Sequence, residues 1–343
     1  MAPRPPHRLL QHLFKKFSVV TAKSTLLPTI GYHLRRPALP PSEKPALFTM
    51  NILPPMMTVW HHCVKKYLGD KVDVVIFDCS GRLKREEFPG TWVQPYVNRY
   101  ASVKSDEFLR NIAQKRKIGW ICDDDIFLIN GKAVDLVKKE LSAPNTASVS
   151  FRPRTWWHFE IDGKRHWPSS SYCTAFNREI FINKEHLTLA PAPNNPWPAD
   201  QGRPPGRYDT GDKANEILLQ KGYRCFIVPK EEESSYITGF SGLSGAVMLL
   251  WHFTNADETV DFFMNPSPQQ WKGNVLYGTF AAMLAVQCIQ DCYTKLNGKP
   301  YPLPALPSPS QLEKIRRERT PFLREGHDFR WIDEATARLK QAL

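Results

Sequence analysis

At 343 residues the chain is long for one domain and short for three, and its 42% hydrophobic and 12% aromatic content supplies a sizeable core, which excludes global disorder. The net charge of +12 is uneven: residues 1–50 hold eight Lys/Arg against the single acid Glu43, so the basic character sits at one end and no nucleic-acid partner is expected. The seven scattered cysteines include no CxxC pair, the pattern of reduced thiols in a cytoplasmic protein rather than a disulfide framework or a zinc site.

Residues 1–46 read as a basic extension. Within it "HRLLQHLFKKFSVV" places Leu9, Leu10, Leu13, Phe14 and Phe17 on one helical face beside Arg8, Lys15 and Lys16. Such a helix either touches an anionic membrane peripherally or docks on its own domain. The N-terminus lacks the unbroken apolar stretch of a secretory signal. No apolar run reaches the roughly 18–20 residues of a membrane span; the longest, "GAVMLLWHF", reads as strand-like.

From residue 47 strands and helices alternate. "ALFTMNI" and "KVDVVIFDC" read as strands, with "PPMMTVWHHCVKKYLG" between them as a helix opening on prolines and closing on Gly69. "SDEFLRNIAQKRK" reads as a helix capped by Ser105, "IGWICDD" as a third strand, "GKAVDLVKKELSA" as a helix and "TASVSFRPR" as a further strand. Strands rich in Val and Ile without polar alternation predict an α/β fold whose sheet is mostly parallel and covered on both faces. The Pro-rich run 189–206 is a loop, either a lid or a plain connection. "TGDKANEILLQKG" then reads as a helix, "YRCFIVP" as a strand and "NVLYGTFAAMLAVQCIQDCYTKLNG" as a long helix, before a Pro-rich linker and a charged helical tail over 299–343.

Carboxylates mark the ends of two of these strands. "VVIFDCSGRL" looks like the opening of a haloacid-dehalogenase phosphatase, but Ser80 stands where a second Asp would act as general acid, and a hydroxyl cannot do that work. Asp78 is then either a ligand for a base or ribose or a turn residue. In "ICDDDIFLIN" alternate residues of an extended segment share a side, so Asp123 and Asp125 converge while Asp124 turns away. Paired carboxylates repel unless a cation joins them, and Mg²⁺ or Mn²⁺ completed by a substrate diphosphate fits.

Together with "RYDTGDKANEILLQKGYRCFIVP", residues 47–255 resemble the GT-A nucleotide-sugar glycosyltransferases, especially the family-2-like group. The resemblance implies a GT-A type Rossmann-like domain over 47–298, with a nucleotide-binding half at 47–130 and an acceptor half at 131–298. It further implies a UDP- or GDP-linked sugar donor and a glycan, lipid or protein acceptor, with transfer by inversion. Asp123 and Asp125 would hold Mn²⁺ or Mg²⁺, Asp78 the uracil or ribose, and Asp124 the ribose or donor sugar. Asp212, or its rival Asp209, would be the base, although "DTGD" departs from the usual Glu-Asp pair. His252 would be a further metal ligand, and Asn177 and Arg178 donor-sugar contacts. Trp156, Trp157 and Trp167 are either core residues or acceptor-stacking rings, and His61 and His62 are structural. The alternatives are a non-catalytic protein of the same fold that binds a polyanion or membrane, and a nucleotidyltransferase.

Overall fold

The computed structural model describes residues 30, 34, 38–155, 158–191 and 209–343. The amphipathic segment 7–20, with its expected membrane contact, lies outside the described residues, as do Trp156, Trp157 and most of the Pro-rich run.

The chain forms two compact units, Met1–Met50 with Lys71–Asp123 and Val134–Glu233, and Asn51–Asp70 with Asp124–Ala133 and Ser234–Leu343. The first is built on β1 (Ala46–Asn51), β2 (Asp73–Asp78), β3 (Thr91–Pro95), β4 (Ile118–Cys122), β6 (Thr146–Ser150), β9 (Cys173–Asn177) and β10 (Arg224–Ile227). They make one sheet in the order β10-β6-β9-β4-β1-β2-β3. The pairs β1–β4, β2–β3 and β6–β10 are parallel, and β9 runs antiparallel between β4 and β6. This is the mixed, mostly parallel α/β sheet that the sequence leads one to expect.

Both faces of β1, β2, β4, β6 and β9 are largely buried, and β1, β2 and β4 carry no regular polar alternation. Phe48 packs edge-on against Phe77 at 4.9 Å and stacks on Phe108 at 4.7 Å, while Trp120 stacks on Phe151 at 5.5 Å. Neighbouring positions of a strand face opposite ways, and Leu47 and Ile76 are as buried as Phe48 and Phe77. The helix expected from Ser105 begins earlier: α2 spans Ala101–Glu107 and continues as a wider turn over Phe108–Ile112. Ser105 is buried inside it, because burial of Val103, Phe108, Leu109 and Ile112 sets the helix register and not the capping hydroxyl. Strand β3 had no sequence signal beyond the four residues between Gly90 and Pro95, the proline being its last residue.

The second unit contains α1 (Pro54–Tyr67) and the antiparallel pair β5 (Ile126–Leu128) and β11 (Ile237–Gly239). The run expected as strand-like before His252 is instead the helix α6 (Leu243–His252). Its buried residues Leu243, Ala246, Val247 and Leu250 recur at helical spacing, and Leu, Met and Ala favour that form. Helix α9 (Asn274–Asn297) has an 18-residue window of mean hydropathy 1.3, so among the described residues one helix is, by length and composition, apolar enough to cross a membrane, where the sequence led one to expect no such run. Phe280, Met283, Val286, Ile289 and other residues on it are buried within this unit. The charged tail forms α10 (Pro309–Arg319), capped by Ser308, and α11 (Arg330–Ala342), whose Ala342 carbonyl accepts from Lys66 Nζ and the Tyr67 hydroxyl of α1.

Candidate functional site

Strand β2 delivers Asp78 to a turn. Asp78 is 3% exposed; its Oδ1 accepts from Ser80 N at 3.0 Å, Ser80 Oγ at 2.6 Å and Gly81 N at 3.0 Å, and its Oδ2 from Leu83 N at 3.1 Å. These bonds are those of a turn organiser, in which a short carboxylate replaces backbone acceptors. The neighbouring buried cations Arg99 and Lys104 had gone unnoticed in the sequence. Lys104 Nζ donates to Asn98 Oδ1 at 3.0 Å and to Cys79 Sγ at 3.7 Å. Nearby, the Tyr96 hydroxyl donates to Glu107, whose carboxyl burial pushes up to about 7 against the opposing pull of that bond and of Arg99. The signal was present in "NRYASVK", where two bases interrupt a segment too short in acids to pair them.

The aspartate run follows β4 as a turn into β5. Asp124 is 8% exposed and accepts from Asn51 Nδ2 at 3.3 Å, whereas Asp123 and Asp125 are only half-buried. The backbone turns where a straight extension was expected, with Asp124 the most buried of the three. Asp123 N donates to the Tyr172 carbonyl at 2.7 Å, and the Asp125 carbonyl accepts from Phe240 N at 2.9 Å. Gly239 presses on the same peptide: a Cβ there would meet the Asp125 carbonyl oxygen at 2.5 Å and Ile126 Cα at 2.9 Å.

Among the described residues no three or more of His, Cys, Asp and Glu are gathered as a metal cage. Two accessible carboxylates of a hard donor set still suit Mg²⁺ or Mn²⁺, which keeps several waters and takes other oxygens from phosphate. His252 belongs to no such group; it stands exposed at the end of α6 with its ring edge-on to Phe253 at 5.0 Å. His61 is neutral and structural, burial pushing its pKa down to about 4.

The acidic motif opens α4 (Asp212–Gln220), entered through Gly211 at φ 82°. Here the structure supplies a residue the sequence had not singled out. Arg154, from the segment after β6, has no side-chain exposure; its Nη1 pairs with Asp209 Oδ2 at 2.6 Å and its Nε with Asp212 Oδ1 at 3.0 Å. The two acids also brace each other, Asp209 N donating to Asp212 Oδ2 at 2.8 Å and Asp212 N to the Asp209 carbonyl at 3.1 Å. Asp212 is fully buried, while a third of the Asp209 side chain is open to solvent.

The two acidic motifs are physically linked within the first unit. Tyr172, whose carbonyl holds the Asp123 amide, has its ring 5.9 Å from the Arg154 guanidinium that holds Asp209 and Asp212. By contrast, Asn177 and Arg178, expected as donor-sugar contacts, stand at the end of β9 away from Asp123. In the antiparallel register Cys173 lies opposite Cys122, next to Asp123, and Asn177 opposite Ile118, four residues away along β4. At about 3.3 Å per residue that is about 13 Å. Arg178 there donates to the carbonyls of Leu109, Gln114 and Arg116, a structural role.

No family model matches the chain, and no curated protein does. Among solved structures it is similar to the mannosyltransferase PcManGT from Pyrobaculum calidifontis in complex with GDP-Man and Mn²⁺, at 14% identity and TM-score 0.38 over 94% of this chain and 96% of that one. It is also similar to 4-diphosphocytidyl-2C-methyl-D-erythritol synthase from Anaerococcus prevotii, at 6% identity and TM-score 0.36 over 54% and 88%. A third is galactosyltransferase LgtC in complex with donor and acceptor sugar analogs, at 11% identity and TM-score 0.29 over 41% and 60%.

Proposed function

We propose that this chain is a metal-dependent glycosyltransferase that moves a sugar from a UDP- or GDP-linked donor to an acceptor hydroxyl with inversion. The observation that carries the reading is the bridge from Asp123 through Tyr172 and Arg154 to Asp209, which brings together acids 86 residues apart in sequence. Asp123 and Asp125 are the carboxylates that hold Mn²⁺ or Mg²⁺ against the donor diphosphate. Such an ion, when bound, offsets the charge that grows on the departing nucleotide. Arg99 and Lys104, beside the Asp78 turn, add fixed positive charge on the nucleotide side, and Asp78 shapes the loop 79–83 that faces it. Asp124, tied to Asn51, acts by positioning its neighbours.

For the base, chemistry separates the two rivals. Asp212 is sealed and ion-paired, so it cannot reach an acceptor hydroxyl; Asp209 keeps part of its carboxylate accessible and takes the role. Arg154 and Asp212 hold it in place. The test is calorimetric titration of the protein with a panel of UDP- and GDP-sugars with and without Mn²⁺. Metal-dependent binding of at least one donor is expected. Binding of none would leave the non-catalytic reading in its place.

A further inference from the structure

The strands β7 (Phe159–Ile161) and β8 (Lys164–His166) form a hairpin that the donor chemistry does not use. Its turn, Asp162 at φ 52° followed by Gly163 at φ 69°, is the left-handed pair that a two-residue hairpin needs. The register pairs Phe159 with His166 and Glu160 with Arg165. Alternation therefore sends Phe159, which is buried, to one face, and Glu160 and Arg165 to the other, together with the flanking His158 and Trp167. Trp167 remains 42% exposed; the His158 ring stands edge-on to it at 5.6 Å and 74°, and His158 Nε2 is 3.5 Å from Glu160 Oε1.

The base of the hairpin is fastened to the acidic motif. Arg154 N donates to the Pro168 carbonyl at 2.8 Å, and Ser169 N to Oδ1 of Asn215, on α4, at 3.2 Å. Trp167 is thus one residue from the strand segment that carries Arg154, and Arg154 grips Asp209.

We propose that Trp167, His158 and Glu160 form the acceptor subsite and that the acceptor is a pyranose sugar. An exposed indole presents a flat apolar face to the C–H side of a sugar ring, while the imidazole, carboxylate and guanidinium around it offer both donors and acceptors to the ring hydroxyls. A bilayer would be met by apolar neighbours and cations alone, and Glu160 and Asp162 oppose that. The inference rests on the glycosyltransferase reading above, which supplies the reason for a hydroxyl-bearing ligand beside Asp209.

The test titrates the ¹⁵N-labelled full chain with methyl β-D-glucopyranoside, methyl α-D-mannopyranoside, methyl β-D-galactopyranoside and N-acetylglucosamine. It follows the Trp167 indole N–H, assigned by its loss in Trp167→Phe. Saturable movement of that signal is expected with at least one sugar. Affinity for that sugar should fall by roughly three- to tenfold or more in Trp167→Ala, the scale of a lost ring-stacking contact, with part of it kept by Trp167→Phe. Thermal unfolding of both variants checks that they fold. No shift of Trp167 with any of the four sugars, or equal affinity in wild type and Trp167→Ala, overturns the proposal. A separate donor titration of the wild type in Mn²⁺ reads the glycosyltransferase assignment, so the failure of that assignment and the failure of the acceptor subsite register in different experiments.

Discussion

Arg154 offers the most direct trial of the site's architecture. Replacing it by Met keeps the length and removes the charge, leaving Asp212 buried without its cation. Both members of the Nε–Oδ1 pair are inaccessible, whereas the pair to Asp209 is partly screened because that side chain is a third exposed. The contacts to the Thr210 carbonyl at 3.3 Å and Ser171 Oγ at 3.4 Å are long and contribute little. The loss therefore comes mainly from Asp212, and breaking one partner out of a buried pair costs about 3–5 kcal/mol. Arg154→Met should unfold at clearly lower urea concentration than the wild type, followed by circular dichroism. Removing the stranded acid as well, in Arg154→Met/Asp212→Leu, should restore most of the loss, since an apolar pair can replace a buried ionic one at little net cost. A single-variant loss below about 1 kcal/mol, or a double variant no more stable than the single one, would refute the reasoning.

Asp125→Asn and Asp123→Asn should each abolish metal-dependent donor binding in calorimetry while leaving the urea midpoint within about 0.5 kcal/mol of wild type, as for other surface changes. Asp209→Asn should lower transfer by about 10²- to 10⁴-fold with donor binding retained, whereas Asp212→Asn should lower stability first; the reverse pattern would reassign the base. Gly239→Ala forces a Cβ to within 2.5 Å of the Asp125 carbonyl, so that peptide must move by several tenths of an ångström. About 1–3 kcal/mol of destabilisation should accompany a weakened Mn²⁺ response, and a variant with wild-type stability and Mn²⁺ response would contradict the contact. Asp106, whose carboxyl desolvation pushes up to about 6, holds its proton more tightly folded than unfolded. Its contribution is complete below the unfolded value of about 4 and is lost as pH rises through about 6, so stability should fall across that window and Asp106→Asn should flatten the slope.

Strands β1, β2 and β4 were legible because both their faces are buried and their apolar residues run nearly without interruption, whereas β3 and β9 were not read from the sequence. The helix ends of α4 and α9 were legible too, since Gly222 and Gly298 adopt the left-handed conformation that closes a helix. What failed depended on partners distant in sequence. Ser105 looks like a cap until the packing of Phe108 on Phe48 shows where the helix runs. Nothing in the sequence signals that Asp212 is buried against Arg154, 58 residues earlier. Asn177 and Arg178 look adjacent to the aspartate run until the antiparallel register of β9 carries them to the other end of the strand. An α/β sequence states its strands well and its strand directions poorly.

Tyr172 serves two masters with different parts of itself, its main-chain oxygen gripping the peptide of Asp123 and its ring lying beside the guanidinium of Arg154. A short loop between hairpin and strand is therefore a coupling rod. A substitution that displaces residues 168–172 is expected to move the Asp123 peptide and the Arg154 guanidinium together, whereas one at the hairpin tip, Asp162 and Gly163, which carries neither bond, is expected to leave both in place.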